Sequence, residues 1–326
     1  MTAQDIRSRI EKLIDPSQNK TLKELNAIKH IGVDDDLVVL IITIGELGGD
    51  AEKKLRRDLA KIIKLDLGFK GIKIQFEENR RTTIRKAKFI IIASGKGGVG
   101  KSYITANLAY ALRRQNKKVG IIDCDIYGSS IPHLLEMEIS EPLVGKDNYI
   151  IPFKKYGIEV MSTAFFAQDE QPVIWRGSML KSMITSFFEQ VKWSHDLEFV
   201  LIDAPTGTGD VMIDLKTLMP SAEVILVSTP NEIDTYGVIK AGNGYKELRH
   251  NIIGIIENKS YVIDPKSSDE IEVYKRKATD EIAEKLDTEI IATIPFAVPK
   301  FHLALYESGE EVGEIFDDLA TLLIIR

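Results

Sequence analysis

Phe89-Ile90-Ile91-Ile92-Ala93-Ser94-Gly95-Lys96-Gly97-Gly98-Val99-Gly100-Lys101-Ser102 decides the fold, because an apolar run closes on a glycine loop and opens into a helical pattern over Tyr103–Gln115. The octet Gly95 to Ser102 satisfies G-x-x-x-x-G-K-S/T in the strand-to-helix setting that a phosphate-binding loop requires. Glycines let backbone N–H groups turn inward on an anion, and the following helix aims its positive N-terminal end at the same point. Lys101 is then the charge for the β- and γ-phosphates, and the Ser102 hydroxyl is the expected Mg²⁺ ligand. ATP and Mg²⁺ are the cofactors this motif predicts, with Tyr103 completing the nucleotide-binding run.

Outward from the loop, apolar strands recur at Val119–Asp123, Phe199–Asp203, Val224–Ser228, Ile252–Glu257 and Glu289–Ile294. They are mostly continuous apolar runs of the kind buried on both faces of a parallel sheet, so residues 89–326 are expected to form a doubly wound, mainly parallel α/β domain. Residues 1–80 read as a small α/β unit, with helical patterns at Ala3–Ile14 and Ala51–Ile63 and strands at Leu37–Ile44 and Gly71–Gln75. Between them, residues 81–88 turn polar and basic (Arg81, Arg85, Lys86, Lys88) and read as an exposed linker.

Three carboxylates end strands at the crevice side of the predicted sheet. Asp123 and Asp125, spaced i and i+2, suit the holding of a metal-bound or attacking water. Asp203 closes Val200-Leu201-Ile202 in the Walker B layout, where it holds a Mg²⁺-bound water. Downstream, Gly207 is free to bring its N–H to the γ-phosphate.

Composition bounds the partners. The 326 residues carry a formal net charge of −6, which gives bulk nucleic-acid coating no electrostatic drive. One cysteine, Cys124, excludes an intramolecular disulfide framework, and the N-terminus lacks a signal-peptide layout, so a cytoplasmic location is expected. No apolar run approaches the roughly eighteen residues of a membrane span. The five histidines show no metal spacing.

Gly95-Lys96-Gly97-Gly98-Val99-Gly100-Lys101-Ser102 resembles the deviant Walker A motif of the MinD, ParA, nitrogenase-iron-protein and Mrp/ApbC group. Asp123-Cys124-Asp125-Ile126-Tyr127-Gly128-Ser129-Ser130-Ile131-Pro132 is similar to the switch I signature of the Mrp/ApbC branch. Ala204-Pro205-Thr206-Gly207-Thr208-Gly209-Asp210 is similar to its switch II, and Trp175-Arg176-Gly177-Ser178-Met179 to its R-G-P-M segment. Residues 1–80, including Ile14-Asp15-Pro16, also resemble the small domain preceding the ATPase in bacterial Mrp proteins.

The resemblance implies a slow ATP hydrolase working as a homodimer, in which Lys96 crosses to the partner's nucleotide, Asp125 orients the attacking water and Asp123 joins Ser102 and Asp203 around Mg²⁺. It also implies that Asn258 reads the base and that Pro295 lies in a loop packing on it. Branch members that carry iron–sulfur clusters to apoproteins have a C-x-x-C after that asparagine; here Asp264 and Ser267 stand at the apparent cysteine positions, and no cluster ligand is identifiable. The implied functions are therefore a cluster-carrier-like ATPase with apoprotein clients or, alternatively, an ATP-dependent transcriptional regulator binding specific DNA, as in Mrp-like proteins of Gram-positive bacteria. The acidic tail Glu310 to Leu319 argues against MinD-like membrane cycling.

Overall fold

The structure is a computed structural model that describes residues 3–34, 36–45, 47–78, 84, 86–125, 128–145, 149–166, 177–264, 267, 269–274 and 278–326. Contacts divide the chain into two units, Met1–Thr83 and Ile84–Arg326.

The first unit runs through α1 (Ala3–Ile10), the short strands β1 (Ile14–Asp15) and β2 (Lys20–Thr21), then β3 (Ile28–Asp34), β4 (Leu37–Ile44), α2 (Asp50–Lys61) and β5 (Gly71–Glu78). β4 pairs antiparallel with β3 and parallel with β5. Its even positions Val38, Leu40, Ile42 and Ile44 are buried, as period-two alternation on a half-covered sheet requires. They meet Ile6 and Ile10 of α1 and Leu55 and Leu59 of α2 in one core. The helix expected to reach Ile14 stops at Ile10, because Ile14 and Asp15 pair with Thr21 and Lys20. The buried Asp15 carboxylate accepts from the Ser17 and Gly45 N–H groups, each at 2.9 Å, so it ties that turn to the end of β4.

The second unit contains β6 (Lys88–Ser94), α3 (Lys101–Arg114), β7 (Val119–Asp123), α4 (Ile131–Leu134), β8 (Phe153–Lys155), β9 (Ile158–Ser162), α5 (Gly177–Glu189), β10 (Phe199–Asp203), α6 (Asp210–Leu218) and β11 (Glu223–Ser228). It continues with α7 (Glu232–Glu247), β12 (Asn251–Asn258), the hairpin β13 (Tyr261–Ile263) and β14 (Glu270–Glu272), α8 (Ala278–Lys285), β15 (Ile290–Ile294) and α9 (Glu311–Ile325). Eight strands form one sheet in the order β15-β12-β11-β6-β10-β7-β9-β8, parallel throughout except β8.

The sheet is covered on both faces, which is why its strands read as unbroken apolar runs. Ile90 and Ile92 of β6 pack with α3 and α9 residues such as Leu108 and Phe316. Ile91 and Ala93 pack on the other side with Phe187 of α5, Leu215 of α6, Val238 of α7 and Ile282 of α8. β6 lies between β11 and β10, and β7 follows β10, so the glycine loop, Asp203 and Asp123 emerge side by side; Asp203 and Asp123 share one register position.

Ile84 and Ala87, placed by the sequence reading in an exposed linker, are buried in this second unit. Lys88 is already a β6 residue, paired with Glu223 at 3.1 Å. The basic residues around them hid two apolar anchors. Of the linker, residues 81–83 and 85 lie outside the described residues.

Candidate active site

The loop between β6 and α3 takes its shape from two left-handed glycines, Gly98 (φ 82°) and Gly100 (φ 92°), where any side chain would strain the backbone. Gly95 has a steric reason instead: a Cβ there would lie 2.0 Å from the carbonyl carbon of Gly237 in α7. Loop and helix thus touch backbone to backbone. Among the described residues, the N–H groups of Gly97, Gly98, Val99 and Gly100 have no acceptor, while the carbonyls of Gly98 and Val99 each accept from a side chain. Lys259 Nζ donates to Gly98 O at 2.9 Å and Asn258 Nδ2 to Val99 O at 2.8 Å.

Lys101 opens α3 and is buried between two carboxylates, with Nζ 2.7 Å from Asp203 Oδ2 and 3.2 Å from Asp125 Oδ2. Burial opposes its charge, but Asp203 first and Asp125 second outweigh that and hold the ammonium above its ordinary pKa. Asp203 also accepts from Ser102 Oγ at 2.6 Å and from Thr105 Oγ1 at 2.8 Å. Asp123, fully buried, accepts from Ser162 Oγ at 2.8 Å and from the Asp125 N–H at 3.1 Å. Burial, and then the neighbouring Asp203 charge, push the Asp123 carboxyl well above the usual carboxylate range.

These groups fit a magnesium ion. Ser102, Asp203 and Asp123 offer oxygen donors only, the chemistry Mg²⁺ selects. Two buried carboxylates, one of them driven towards its neutral form by burial and then by the other's charge, are a charge arrangement that a dication would balance.

Lys96 extends from the loop to Asp234 in the first turn of α7, Nζ to Oδ1 at 2.8 Å. Asp234 is buried, and its second oxygen accepts from Thr229 Oγ1 at 2.5 Å. The lysine is therefore engaged by its own subunit, through a carboxylate that the sequence reading did not single out.

Several other predicted positions differ in detail. The Gly207 N–H, expected to be free, donates to Ser94 O at 2.9 Å, although its φ of 82° is the left-handed geometry expected of a glycine hinge. The Tyr103 ring packs edge-on against Tyr306 and Phe316. Pro295 is buried at the end of β15, beside an exposed Phe296. Asp264 and Ser267 form a turn at the tip of the β13–β14 hairpin, with Ser267 N donating to Asp264 Oδ1 at 3.4 Å. Ile126, Tyr127, Trp175 and Arg176 lie outside the described residues.

A family model described as NUBPL iron-transfer P-loop NTPase, of the ParA type, matches residues 85–315. The chain belongs to that family. A relative named iron-sulfur cluster carrier protein, from Bacillus subtilis, is 31% identical over 97% of this chain and 96% of its own length. The iron-sulfur cluster transfer protein NUBPL of Dictyostelium discoideum is 32% identical over 68% of this chain and 67% of its own. Among solved structures, a nucleotide-binding protein of Archaeoglobus fulgidus in complex with ADP superposes with a TM-score of 0.58 at 29% identity, over 76% of this chain and 93% of that one. The MinC:MinD complex of Aquifex aeolicus matches at 20% identity and a TM-score of 0.53, over 74% of this chain and 97% of that one, which speaks for the fold alone.

In this P-loop NTPase three supporting residues besides Asp234 escaped the sequence reading. Thr105 stands four residues after Lys101, one helical turn on, so a polar residue on the same helix face as Lys101 was the available signal. Ser162 ends β9, a strand the apolar pattern did not reveal. Lys259 follows Asn258 directly and has a positive φ of 57° that no sequence pattern announces.

Proposed function

We propose that this chain is an ATP hydrolase that uses nucleotide state and Mg²⁺ to switch a homodimer between two forms, in the cytoplasm, in the service of iron–sulfur cluster delivery to apoproteins. The observation that carries the hydrolytic part is Lys101, buried at the head of a phosphate loop between Asp203 and Asp125. A triphosphate offers that ammonium a stronger counter-charge. When Lys101 turns to the β- and γ-phosphates, Asp125 loses its partner and is left to orient a water towards the γ-phosphorus. The water oxygen bonds to the γ-phosphorus as the bond from that phosphorus to the β–γ bridging oxygen breaks; ADP leaves with the bridging oxygen, phosphate leaves with the three γ oxygens and the water's, and of the water's two protons one stays on the phosphate and one passes to solvent.

Mg²⁺ would be held by Ser102, Asp203 and Asp123, and when bound it supplies charge neutralisation on the phosphate oxygens. Asn258 Oδ1 remains available to the base while its amide nitrogen is committed to Val99 O. Pro295 and Phe296 pack beside the base. Lys96 leaves Asp234 to reach the nucleotide of the second subunit, which couples closure of the dimer to ATP.

The cluster is cargo here, and delivery is supported by the names of the relatives. The sole cysteine favours a second reading, in which the ATP switch regulates a partner such as specific DNA and carries no cluster itself. ATP-dependent retardation of a DNA fragment, with a colourless protein, is the outcome that selects it.

The hydrolytic reading is tested by two variants. Lys101→Ala is expected to lower ATP affinity at least tenfold in equilibrium binding, since the loop amides alone must then hold the polyanion. Asp125→Ala is expected to keep ATP affinity within about threefold and lose hydrolysis by about a hundredfold, as for a residue that only places water. Unchanged ATP affinity in Lys101→Ala overturns the reading.

A further inference from the structure

The last residue of β12 and the one that follows it contact two consecutive carbonyls of the glycine loop: Lys259 Nζ with Gly98 O at 2.9 Å and Asn258 Nδ2 with Val99 O at 2.8 Å. In a trans peptide the C=O and the following N–H point in opposite directions. Holding the Gly98 and Val99 carbonyls outward therefore aims the Val99 and Gly100 N–H groups the other way, and those N–H groups have no acceptor among the described residues. Such a row of oriented amides is an anion nest, and its affinity depends on how little reorganisation the loop must undergo.

Lys259 is positioned for this at a conformational cost. Its φ of 57° is left-handed, a region that glycine and asparagine enter readily and lysine does not. Asn258 is buried, and a Cβ on Gly100 would come within 2.2 Å of its Nδ2, so loop and turn leave each other no slack. Beyond the turn, Ser260 N donates to Ile294 O and Phe296 N to Tyr261 O, which anchors the clamp to β15.

We propose that Lys259 is a positioning residue for phosphate recognition: it clamps the Gly98 carbonyl so that the loop amides are preset for the nucleotide's phosphate chain. This rests on the nucleotide reading above. It adds that the segment reading as a base-side loop acts on phosphate affinity, with a lysine distinct from Lys96 and Lys101.

Because the clamp acts on phosphates, it must operate on a ligand that has no base. The experiment measures the affinity of the full chain for ATP, ADP and inorganic tripolyphosphate, with Mg²⁺, in wild type, Lys259→Met and Lys259→Arg. Lys259→Met is expected to weaken all three by a similar factor of about tenfold, with Lys259→Arg recovering most of it. KM for ATP should rise by the same factor while kcat at saturation stays within about twofold, which a merely destabilised protein would not show. The thermal midpoint without added nucleotide is expected to be unchanged. Weakened ATP with unchanged tripolyphosphate makes Lys259 a base-side residue and overturns the clamp. Unchanged affinity for all three in Lys259→Met, with wild type binding normally, overturns the clamp alone. A wild-type chain that binds neither ATP nor tripolyphosphate overturns the nucleotide reading itself.

Discussion

At the scale of single residues, the site is a set of charges that satisfy one another. Lys101 is satisfied by Asp203 and Asp125, and Lys96 by Asp234, whose other oxygen is fixed by Thr229. The Lys96 pair is half exposed on the lysine side and buried on the aspartate side, so opening it frees a solvated ammonium but leaves a buried carboxylate with less compensation. This favours the closed pair and opposes any crossing of Lys96 to a second subunit. Asp234→Asn removes the charge and keeps the Thr229 geometry nearly isosteric, so the lysine is released without a cavity. The expected outcome is a lower ATP concentration for half-maximal dimerisation, by about threefold to tenfold, read by light scattering across an ATP titration. Lys96→Ala should erase the ATP-linked shift in both backgrounds. An ATP response in Asp234→Asn identical to wild type shows that the pair does not restrain the lysine. The sequence showed Lys96 as unusual but could not show Asp234, because the two are far apart in the chain and meet only where Gly95 packs on Gly237.

At the scale of elements, the junction of α7 with β12 carries a titratable group inside the fold. His250 is buried after the end of α7; its Nδ1 lies 2.8 Å from Ala222 O, and its ring stacks edge-on against Tyr245. Burial, with Lys216 adding in the same direction, holds its pKa below the ordinary 6.5. A histidine whose folded pKa is depressed contributes stability that is present above the unfolded pKa and lost as pH falls towards the folded one. The urea midpoint is therefore expected to fall between about pH 7.5 and about pH 5.5, and to fall less in His250→Asn, whose side-chain amide can keep a donor for Ala222 O without titrating. Equal slopes in the two proteins remove His250 from the balance. The same elements show what the sequence made legible. β7 and β10 were readable to the residue, because five consecutive apolar or strand-ending positions between turn signals leave little choice. β3 and β9 were not: Lys29, His30 and Gly32 interrupt β3, and Glu159 is buried in β9 where Ser194 N donates to it at 2.9 Å. Apolar periodicity reports burial against carbon, and these strands reach their places through polar partners the sequence does not pair.

At the scale of the whole molecule, the P-loop scaffold was legible because one motif fixed a strand, a loop and a helix at once, while the cargo question turns on a single side chain. Cys124 is fully buried beside Asp123, and burial, followed by the Asp123 and Asp203 charges, pushes its thiol well above the ordinary value. A thiol so held is a poor source of the thiolate that iron requires. Two subunits would supply two such cysteines, whereas a [4Fe–4S] cluster takes four thiolates. Among the described residues, no group of three or more histidine, cysteine or acidic side chains is arranged to hold a metal ion, and the region after Asn258 is a hydrogen-bonded hairpin. These observations support the prediction that any cluster in transit is held mainly by ligands from outside, such as a small thiol or the client's own cysteines. Anaerobic reconstitution with iron and sulfide is expected to leave well under one cluster per dimer after desalting, with no visible absorption that depends on Cys124. Cys124→Ser should retain ATP hydrolysis within about twofold, since serine fills the same small site with a modest packing change. Four irons per dimer after desalting, lost in Cys124→Ser, would contradict this and make the buried thiol a true cluster ligand, reached through an opening of switch I around Asp123 and Asp125.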